Sequence, residues 1–214
     1  MKILVTGFDP FGGEKVNPAY EAVKLLPDKI SGADIIKLEI PTVFTRSVTV
    51  VEDSVKEHNP DVILSIGQAG GRSSITVEKV AINLAEARIP DNDGEQPIDQ
   101  ALKEDGETAY FATIPVKAIV NKIRENGIPA NMSYTAGTYV CNSIMYNVLH
   151  LTHKKYPHIK AGFIHVPFST EQAAAKPDGT ASMSIETISK AIEYAIEVIT
   201  KNMEDSKEPM GTIM

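Results

Sequence analysis

Short apolar runs alternate with longer helical patterns along most of this chain. Each apolar run has the length of a strand, is rich in β-branched residues and is bounded by turn-forming residues. The longer segments between the runs carry the spacing of amphipathic helices. Strand–helix alternation predicts a three-layer α/β/α domain with a largely parallel sheet. The predicted strands are residues 3–6, 35–40, 62–66, 130–134 and 162–166.

Capping residues mark the start of the first predicted helix. Asn17 is a preferred N-cap residue, and Pro18 suits the first helical position. The pattern predicts further helices over about residues 45–58, 116–126, 141–155 and 184–202.

The chain length sets the number of domains. A chain of 214 residues buries roughly 70% of its unfolded surface, which is enough for one sizeable core. Since no internal repeat or linker divides it, we expect a single α/β domain over residues 1–203 and a polar, flexible tail over residues 204–214. Residues 90–106, which are rich in Asp, Glu and Gly, are also expected to be less ordered.

Charge and cysteine usage exclude several classes of protein. The net charge is −7 and the basic residues form no cluster, so we expect no nucleic-acid partner. A single cysteine rules out an internal disulfide, and the sequence lacks the Cys/His spacing of a metal site. The first apolar run is too short for a signal peptide, and no run of about 18 apolar residues predicts a membrane span. The expected location is the cytoplasm, where a thiol stays reduced.

The one cysteine, Cys141, follows a small turn-forming segment, at the start of a predicted helix. In the first turn of a helix, free N–H groups and the macrodipole favour an anion. That position lowers a thiol pKa, and the thiolate is the nucleophile. The alternative is a small hydrophobic residue buried under the helix.

A cysteine nucleophile requires a base, and His165 is the best placed of five histidines. It lies in the apolar run "FIHVP", at the end of a predicted strand, where active-site groups project in α/β folds. The alternative is a histidine satisfied within the core. The other four, His58, His150, His153 and His158, fall at helix ends or in polar loops, where most histidines are solvated.

Glu78 is the candidate for a third group that orients the imidazole. Read as one strand over residues 75–84, the sequence puts Glu78 on the same face as Val80, Ile82 and Leu84. A carboxylate on an aliphatic face is costly unless it has a partner. The alternatives are a solvated strand end, or a segment that is not a strand at all.

Two glycine-containing loops follow predicted strands. Residues 7–13, "GFDPFGG", lack the pattern of a phosphate-binding loop. Phe8 and Phe11 could instead wall a small apolar pocket at the sheet edge, or equally be two core anchors. The segment 67–72, "GQAGGR", brings flexible backbone to the same edge of the sheet.

The sequence resembles the pyroglutamyl peptidase I family of cytosolic cysteine peptidases. The glutamate signature stands as "GGRSSITVEKVAIN" over residues 70–83, and the cysteine signature as "SYTAGTYVCN" over residues 133–142. The stretches "TGFDPFGG", "NLAEARIPDN" and "GFIHVPF" match as well.

The resemblance implies the roles of several residues. Cys141 is implied as nucleophile, His165 as base, Glu78 as the orienting carboxylate and Arg88 as an oxyanion ligand. It also implies a twisted sheet flanked by helices, no cofactor, N-terminally pyroglutamylated peptides as substrates, and a homo-oligomer, usually a tetramer. The implied substrate-binding residues are Phe8, Phe11, Asn17 and Gln68.

Two other functions stay open at this point. A nucleoside phosphorylase-like enzyme could use the same sheet and glycine-rich loops, and would depend on phosphate. In a binding module without catalysis, Cys141 would only pack and would stay unreactive until denaturation.

Overall fold

The computed structural model describes residues 1–201 and 204–211. Strand and helix alternate as the sequence predicts. The strands are β1 (Lys2–Phe8), β2 (Lys29–Ile30), β3 (Ala33–Ile40), β4 (Val62–Gln68), β5 (Ile75–Glu78), β6 (Val80–Ile82), β7 (Ala109–Phe111), β8 (Ala130–Ser133) and β9 (Lys160–Val166). The helices are α1 (Pro18–Leu25), α2 (Arg46–His58), α3 (Val116–Glu125), α4 (Val140–Lys154), α5 (Thr170–Ala173) and α6 (Ile185–Thr200).

Seven of these strands form one mixed, mostly parallel sheet in the order β2-β3-β1-β4-β9-β5-β8. The pairs β2–β3 and β5–β9 are antiparallel, and the others are parallel. Helices α1, α3 and α6 pack on one face, and α2 and α4 on the other. The three-layer α/β/α prediction is therefore confirmed. Strands β6 and β7 form a separate pair beside α4.

The predicted helix boundaries agree closely with the structure. Asn17 caps α1 as expected, since its Oδ1 accepts a hydrogen bond from Ala19 N at 3.1 Å. The last predicted helix was extended to Asn202, which lies outside the described residues, as do Met203 and residues 212–214.

The prediction of one continuous strand over residues 75–84 is wrong. The chain leaves the large sheet at Lys79, whose N–H bonds Ser133 O at 2.7 Å and whose carbonyl accepts from Ala112 N at 2.9 Å. Glu78 therefore belongs to β5 in the large sheet, whereas Val80 and Ile82 belong to the β6–β7 pair. These residues share no common strand face.

The acidic segment 90–106 contains no helix or strand, but one buried side chain organises it. The Asp91 carboxylate accepts hydrogen bonds from the backbone N–H groups of Phe44, Asp93 and Glu95 at 2.8 to 2.9 Å. An isolated β-bridge between Ala85 and Gln100 connects the later part of segment 90–106 to the residues that precede it.

Residues 204–211 run along α3. Asp205 Oδ1 accepts from the N–H groups of Lys117 and Ala118, and the Glu208 carbonyl accepts from Lys117 Nζ. Within the described residues, no helix has the length and apolar character needed to cross a membrane.

Candidate active site

His165 lies where three strands of the large sheet meet. It pairs with Gly67 of β4 on one side and with Thr76 of β5 on the other. Phe163, two residues earlier on β9, shares its face of the sheet, and the two ring centroids are 4.7 Å apart. This is the face on which α4 packs.

The start of α4 brings Cys141 to the same point. A Cβ atom on Gly67 would lie only 2.9 Å from Cys141 Sγ and 2.6 Å from the Phe163 ring. The thiol therefore lies directly over Gly67, the strand partner of His165. Because neighbouring strands are about 4.8 Å apart, the thiol lies over the strand position next to His165.

The buried Asn142 side chain holds the start of α4 in this position. Its Oδ1 accepts from Ile82 N at 3.0 Å, and its Nδ2 donates to the carbonyls of Ile82 and Leu84 at 2.9 and 3.0 Å. The segment that follows the break at Lys79 thus holds Asn142, the residue next to Cys141, in place.

Glu78 completes a line of three groups. Its Oε1 lies 2.7 Å from His165 Nδ1, and the carboxylate is fully buried. The same oxygen accepts a hydrogen bond from Arg72 Nη1 at 2.6 Å. The sequence-based expectation that Glu78 requires a partner is correct, although the aliphatic strand face that motivated it does not exist.

The protonation states follow from burial and from these contacts. Burial raises the pKa of Glu78, but His165, Ser133 and Arg72 together hold that pKa below its ordinary value. Burial lowers the pKa of His165 by more than Glu78 raises it. At neutral pH the pair is therefore a carboxylate and a neutral imidazole. Nδ1–H donates to Glu78, which leaves Nε2 as the free base.

The thiol differs from the sequence-based expectation of a lowered pKa. Burial raises the pKa of Cys141 to about 12, Glu78 adds to the rise, and Arg72 opposes it. The position at the helix start is as predicted, but removal from water outweighs it. In the substrate-free protein Cys141 is a thiol, and a base must take its proton as it attacks.

Arg88 lies on a segment that runs beside the residues preceding Cys141. Glu86 N donates to Thr138 O at 3.0 Å, and Thr138 Oγ1 donates to Glu86 O at 2.8 Å. The Arg88 side chain is exposed and makes no hydrogen bond or ion pair within the described part of the chain. Its guanidinium is free to meet a ligand.

The two phenylalanines after β1 have different surroundings. Phe8 is 2% exposed and its ring lies 6.5 Å from that of Phe163. Phe11 is half-buried with its ring 6.3 Å from Tyr139, which packs edge-on against Phe44 at 5.4 Å. Phe8 therefore packs against Phe163, which in turn contacts the ring of His165. Phe11 lies beside the start of α4.

Asn17 and Gln68 also lie at this edge of the sheet. Both polar atoms of Asn17 have backbone partners, since Nδ2 donates to Asp9 O at 3.0 Å and Oδ1 caps α1. Gln68 Oε1 accepts from Gln172 Nε2 at 3.1 Å. The Nε2 of Gln68 has no acceptor among the described residues. Asn17 thus shapes the loop after β1, and Gln68 keeps a free donor.

A cavity of about 750 Å³ lies away from these groups, between α2, α4 and residues 95–103. Its α4 residues are Ser143 and Asn147 rather than Cys141. The relative positions of Cys141, His165 and Glu78, and not the size of this cavity, therefore indicate the candidate active site.

Three residues of the site, Gly67, Arg72 and Asn142, were not among the individual functional residues predicted from the sequence. Arg72 stands inside the glutamate signature, six positions before Glu78, and a basic residue so close to a buried carboxylate was the available signal. No local pattern marks Gly67, because its role depends on a helix more than 70 positions away.

Known proteins match this chain over nearly its whole length. Residues 1–202 match the family model described as pyroglutamyl peptidase. The chain is 58% identical over 212 residues to a pyrrolidone-carboxylate peptidase of Enterococcus faecalis, covering 99% of each protein. A Clostridium perfringens protein of the same name is 56% identical over 213 residues, covering 100% of each.

Solved structures give the same result. Pyroglutamyl peptidase I of Bacillus amyloliquefaciens has a TM-score of 0.91 and 46% identity, covering 96% of this chain and 99% of that one. Pyrrolidone carboxyl peptidase of Thermococcus litoralis has a TM-score of 0.92 and 42% identity, covering 97% and 99%.

Proposed function

Since this chain belongs to the pyroglutamyl peptidase family, we propose that Cys141, His165 and Glu78 carry out its reaction as nucleophile, base and orienting carboxylate. The chain is a cysteine-type pyroglutamyl-peptidase I, which removes an N-terminal pyroglutamyl residue from peptides. The phosphorylase-like and non-catalytic alternatives are therefore wrong. The proposed roles rest on one observation: Cys141 Sγ lies over Gly67, beside a histidine that bonds a buried carboxylate.

The proposed reaction begins with proton transfer. As Sγ of Cys141 attacks the carbonyl carbon between 5-oxoproline and the next residue, its proton passes to His165 Nε2. Glu78 holds Nδ1–H and stabilises the imidazolium that forms. The imidazolium then protonates the leaving amine, and the acyl group stays on sulfur as a thioester. Water attacks the thioester, with His165 again as base, and releases 5-oxoproline.

The oxyanion of the tetrahedral intermediate needs donors close to the sulfur. The first turn of α4 offers backbone N–H groups, because its N-cap residue Tyr139 makes no side-chain capping hydrogen bond. Arg88, on the segment paired with Thr138, is the proposed side-chain donor. A good donor of this kind contributes about 3–4 kcal/mol to transition-state stabilisation.

The pyroglutamyl ring is flat and uncharged, so its pocket needs apolar walls and partners for one N–H and one C=O. We assign the walls to Phe8 and Phe11, and a polar contact to the free Nε2 of Gln68. Asn17 supports this pocket by holding the Asp9 carbonyl.

The setting of the enzyme is also a proposal. The lone thiol and the family resemblance support a cytoplasmic location and a homo-oligomer, with a tetramer as the expected state. The acidic net charge of −7 supports the absence of a nucleic-acid partner. We keep residues 1–203 as the catalytic domain and residues 204–214 as a C-terminal tail. Size-exclusion chromatography with light scattering tests the oligomer.

The nucleophile is tested by Cys141→Ser, assayed for release of a chromophoric amine from a pyroglutamyl amide. A hydroxyl is a much weaker nucleophile than a thiol at neutral pH. The variant should therefore keep the wild-type circular dichroism spectrum and lose nearly all activity. Retained activity would remove Cys141 from the mechanism.

The matching prolyl amide is the substrate control, because it lacks the lactam carbonyl and its ring nitrogen is therefore a basic amine. A site built to bond that group rejects an analogue without it by about 10⁴-fold or more. Comparable kcat/KM on both amides would contradict the proposed pocket.

A further inference from the structure

Arg72 contacts both the buried carboxylate and the loop that leads to the nucleophile. Its Nη1 donates to Glu78 Oε1 at 2.6 Å and also to Thr76 Oγ1. Its Nη2 donates to the carbonyl of Thr135 at 3.1 Å. One guanidinium therefore joins β5 to the segment that precedes α4.

Glu78 depends on a positive charge in contact with it. The carboxylate is fully buried, and burial by itself favours the neutral acid. The other groups that face it are uncharged in the resting enzyme: His165 from β9, Thr76 from β5, Ser133 from β8 and the Cys141 thiol from α4. Among the described residues, the guanidinium of Arg72 is thus the one cation that contacts Glu78 while the imidazole is neutral, and it lowers the pKa of this carboxyl.

We propose that Arg72 is a positioning residue for the reaction, which fixes Glu78 Oε1 as the acceptor for His165 Nδ1–H and so keeps Nε2 directed at Cys141. This inference rests on the proposed roles of Cys141, His165 and Glu78. Arg72 touches no reacting atom, and it is 29% exposed at the edge of the site.

The proposal predicts a change in the pH profile and not only in the rate. Arg72 lowers the pKa of Glu78, of His165 and of Cys141. Without it, all three values rise. The acid limb of the kcat/KM profile should then move to higher pH, since it reports the essential base of the free enzyme, which is His165.

The test compares Arg72→Met with Arg72→Lys on the pyroglutamyl amide between pH 5 and 10. For Arg72→Met we expect the acid limb to rise by about 1 pH unit, since a nearby charge shifts a pKa by about 1–3 units. Activity below this limb should fall about tenfold, through kcat more than KM. Arg72→Lys keeps the charge and should keep the acid limb near its wild-type position.

Arg124→Met is the matched control. Arg124 also bonds a strand backbone and a side chain, Ala130 O at 2.6 Å and Asn131 Oδ1 at 2.6 Å, but none of the reactive groups. It should lower stability without moving the acid limb. An unmoved acid limb in Arg72→Met, or equal movement in Arg124→Met, would overturn the proposal.

Arg72→Met could unfold because it leaves a buried carboxylate without its cation. The double variant with Glu78→Gln removes that charge. If Arg72 acts through Glu78, the double variant should be as active as Glu78→Gln alone. A double variant at least tenfold less active than Glu78→Gln would overturn the proposal. Failure of the proposed function would appear separately, as activity in Cys141→Ser.

Discussion

Gly67 matters to the active site because it lacks a side chain. Cys141 Sγ and the Phe163 ring both occupy the space that a side chain on Gly67 would fill. Phe163 in turn contacts the ring of His165. The absence of a Cβ atom therefore sets how closely the nucleophile approaches β4, the strand that pairs with the His165 strand, β9.

Gly67→Ala should displace the sulfur. Because a misplacement of about 1 Å can cost 10²-fold in rate, we expect kcat to fall by roughly that factor. Steady-state kinetics on the pyroglutamyl amide, with thermal unfolding measured in parallel, provide the check.

The control for Gly67→Ala is Gly162→Ala. A Cβ on Gly162 would lie 2.1 Å from Ile114, near the start of β9, so this variant strains the same sheet away from the thiol. It should lose stability, by about 1–3 kcal/mol, while its folded molecules keep kcat. A Gly67→Ala enzyme with normal kcat would show that Sγ tolerates the added methyl group.

At the scale of elements, α3 is capped by a residue distant in sequence. Its own N-cap residue, Pro115, makes no capping hydrogen bond. Asp205 supplies the missing acceptor to Lys117 N at 2.8 Å and Ala118 N at 3.0 Å. The carboxylate also lies at the positive end of the helix dipole. The segment after α6 therefore stabilises the start of α3.

Asp205→Ala should lower the free energy of unfolding by about 1 kcal/mol, since it removes an N-cap acceptor. Asp205→Asn keeps an oxygen at the same place and should recover most of that loss. Urea unfolding measures both variants, and kcat/KM should stay at the wild-type value in each. Equal stability of Asp205→Ala and the wild type would mean that this cap contributes nothing in solution.

At the scale of the whole molecule, the three reactive groups couple folding to pH in opposite directions. Glu78 and His165 have lowered pKa values in the folded state, so the unfolded chain binds more protons at low pH. Stability from these groups is present above their ordinary values, 6.5 for His165 and 4.5 for Glu78, and is lost on acidification. Cys141 has a raised pKa, so its contribution is lost as the pH rises from 9.0 towards 12.

The unfolding temperature should therefore be highest between about pH 7 and pH 9 and decline on both sides. Cys141→Ala removes the thiol, so its decline above pH 9 should be shallower than that of the wild type. Calorimetry across pH 4 to 11 gives the comparison. Identical alkaline slopes would show that the folded protein ionises Cys141 as readily as the unfolded chain does.

Local sequence patterns predicted the fold class, the places of the main helices and strands, and the positions of Cys141 and His165 at the ends of their elements. Periodicity, caps and turn residues report local conformation, and these features are local. Cys141 follows a turn at the start of α4, and His165 ends an apolar strand, as predicted.

The tertiary structure alone decided how these local pieces meet. It set the antiparallel direction of β5, the break at Lys79, the contact of Arg72 with Glu78 and the burial that raises the pKa of Cys141. Strand direction and burial depend on residues far apart in the chain, and no window of neighbouring residues contains them. The thiol pKa is the clearest case, because the helix start that favours an anion is local whereas the desolvation that outweighs it comes from β4 and β9.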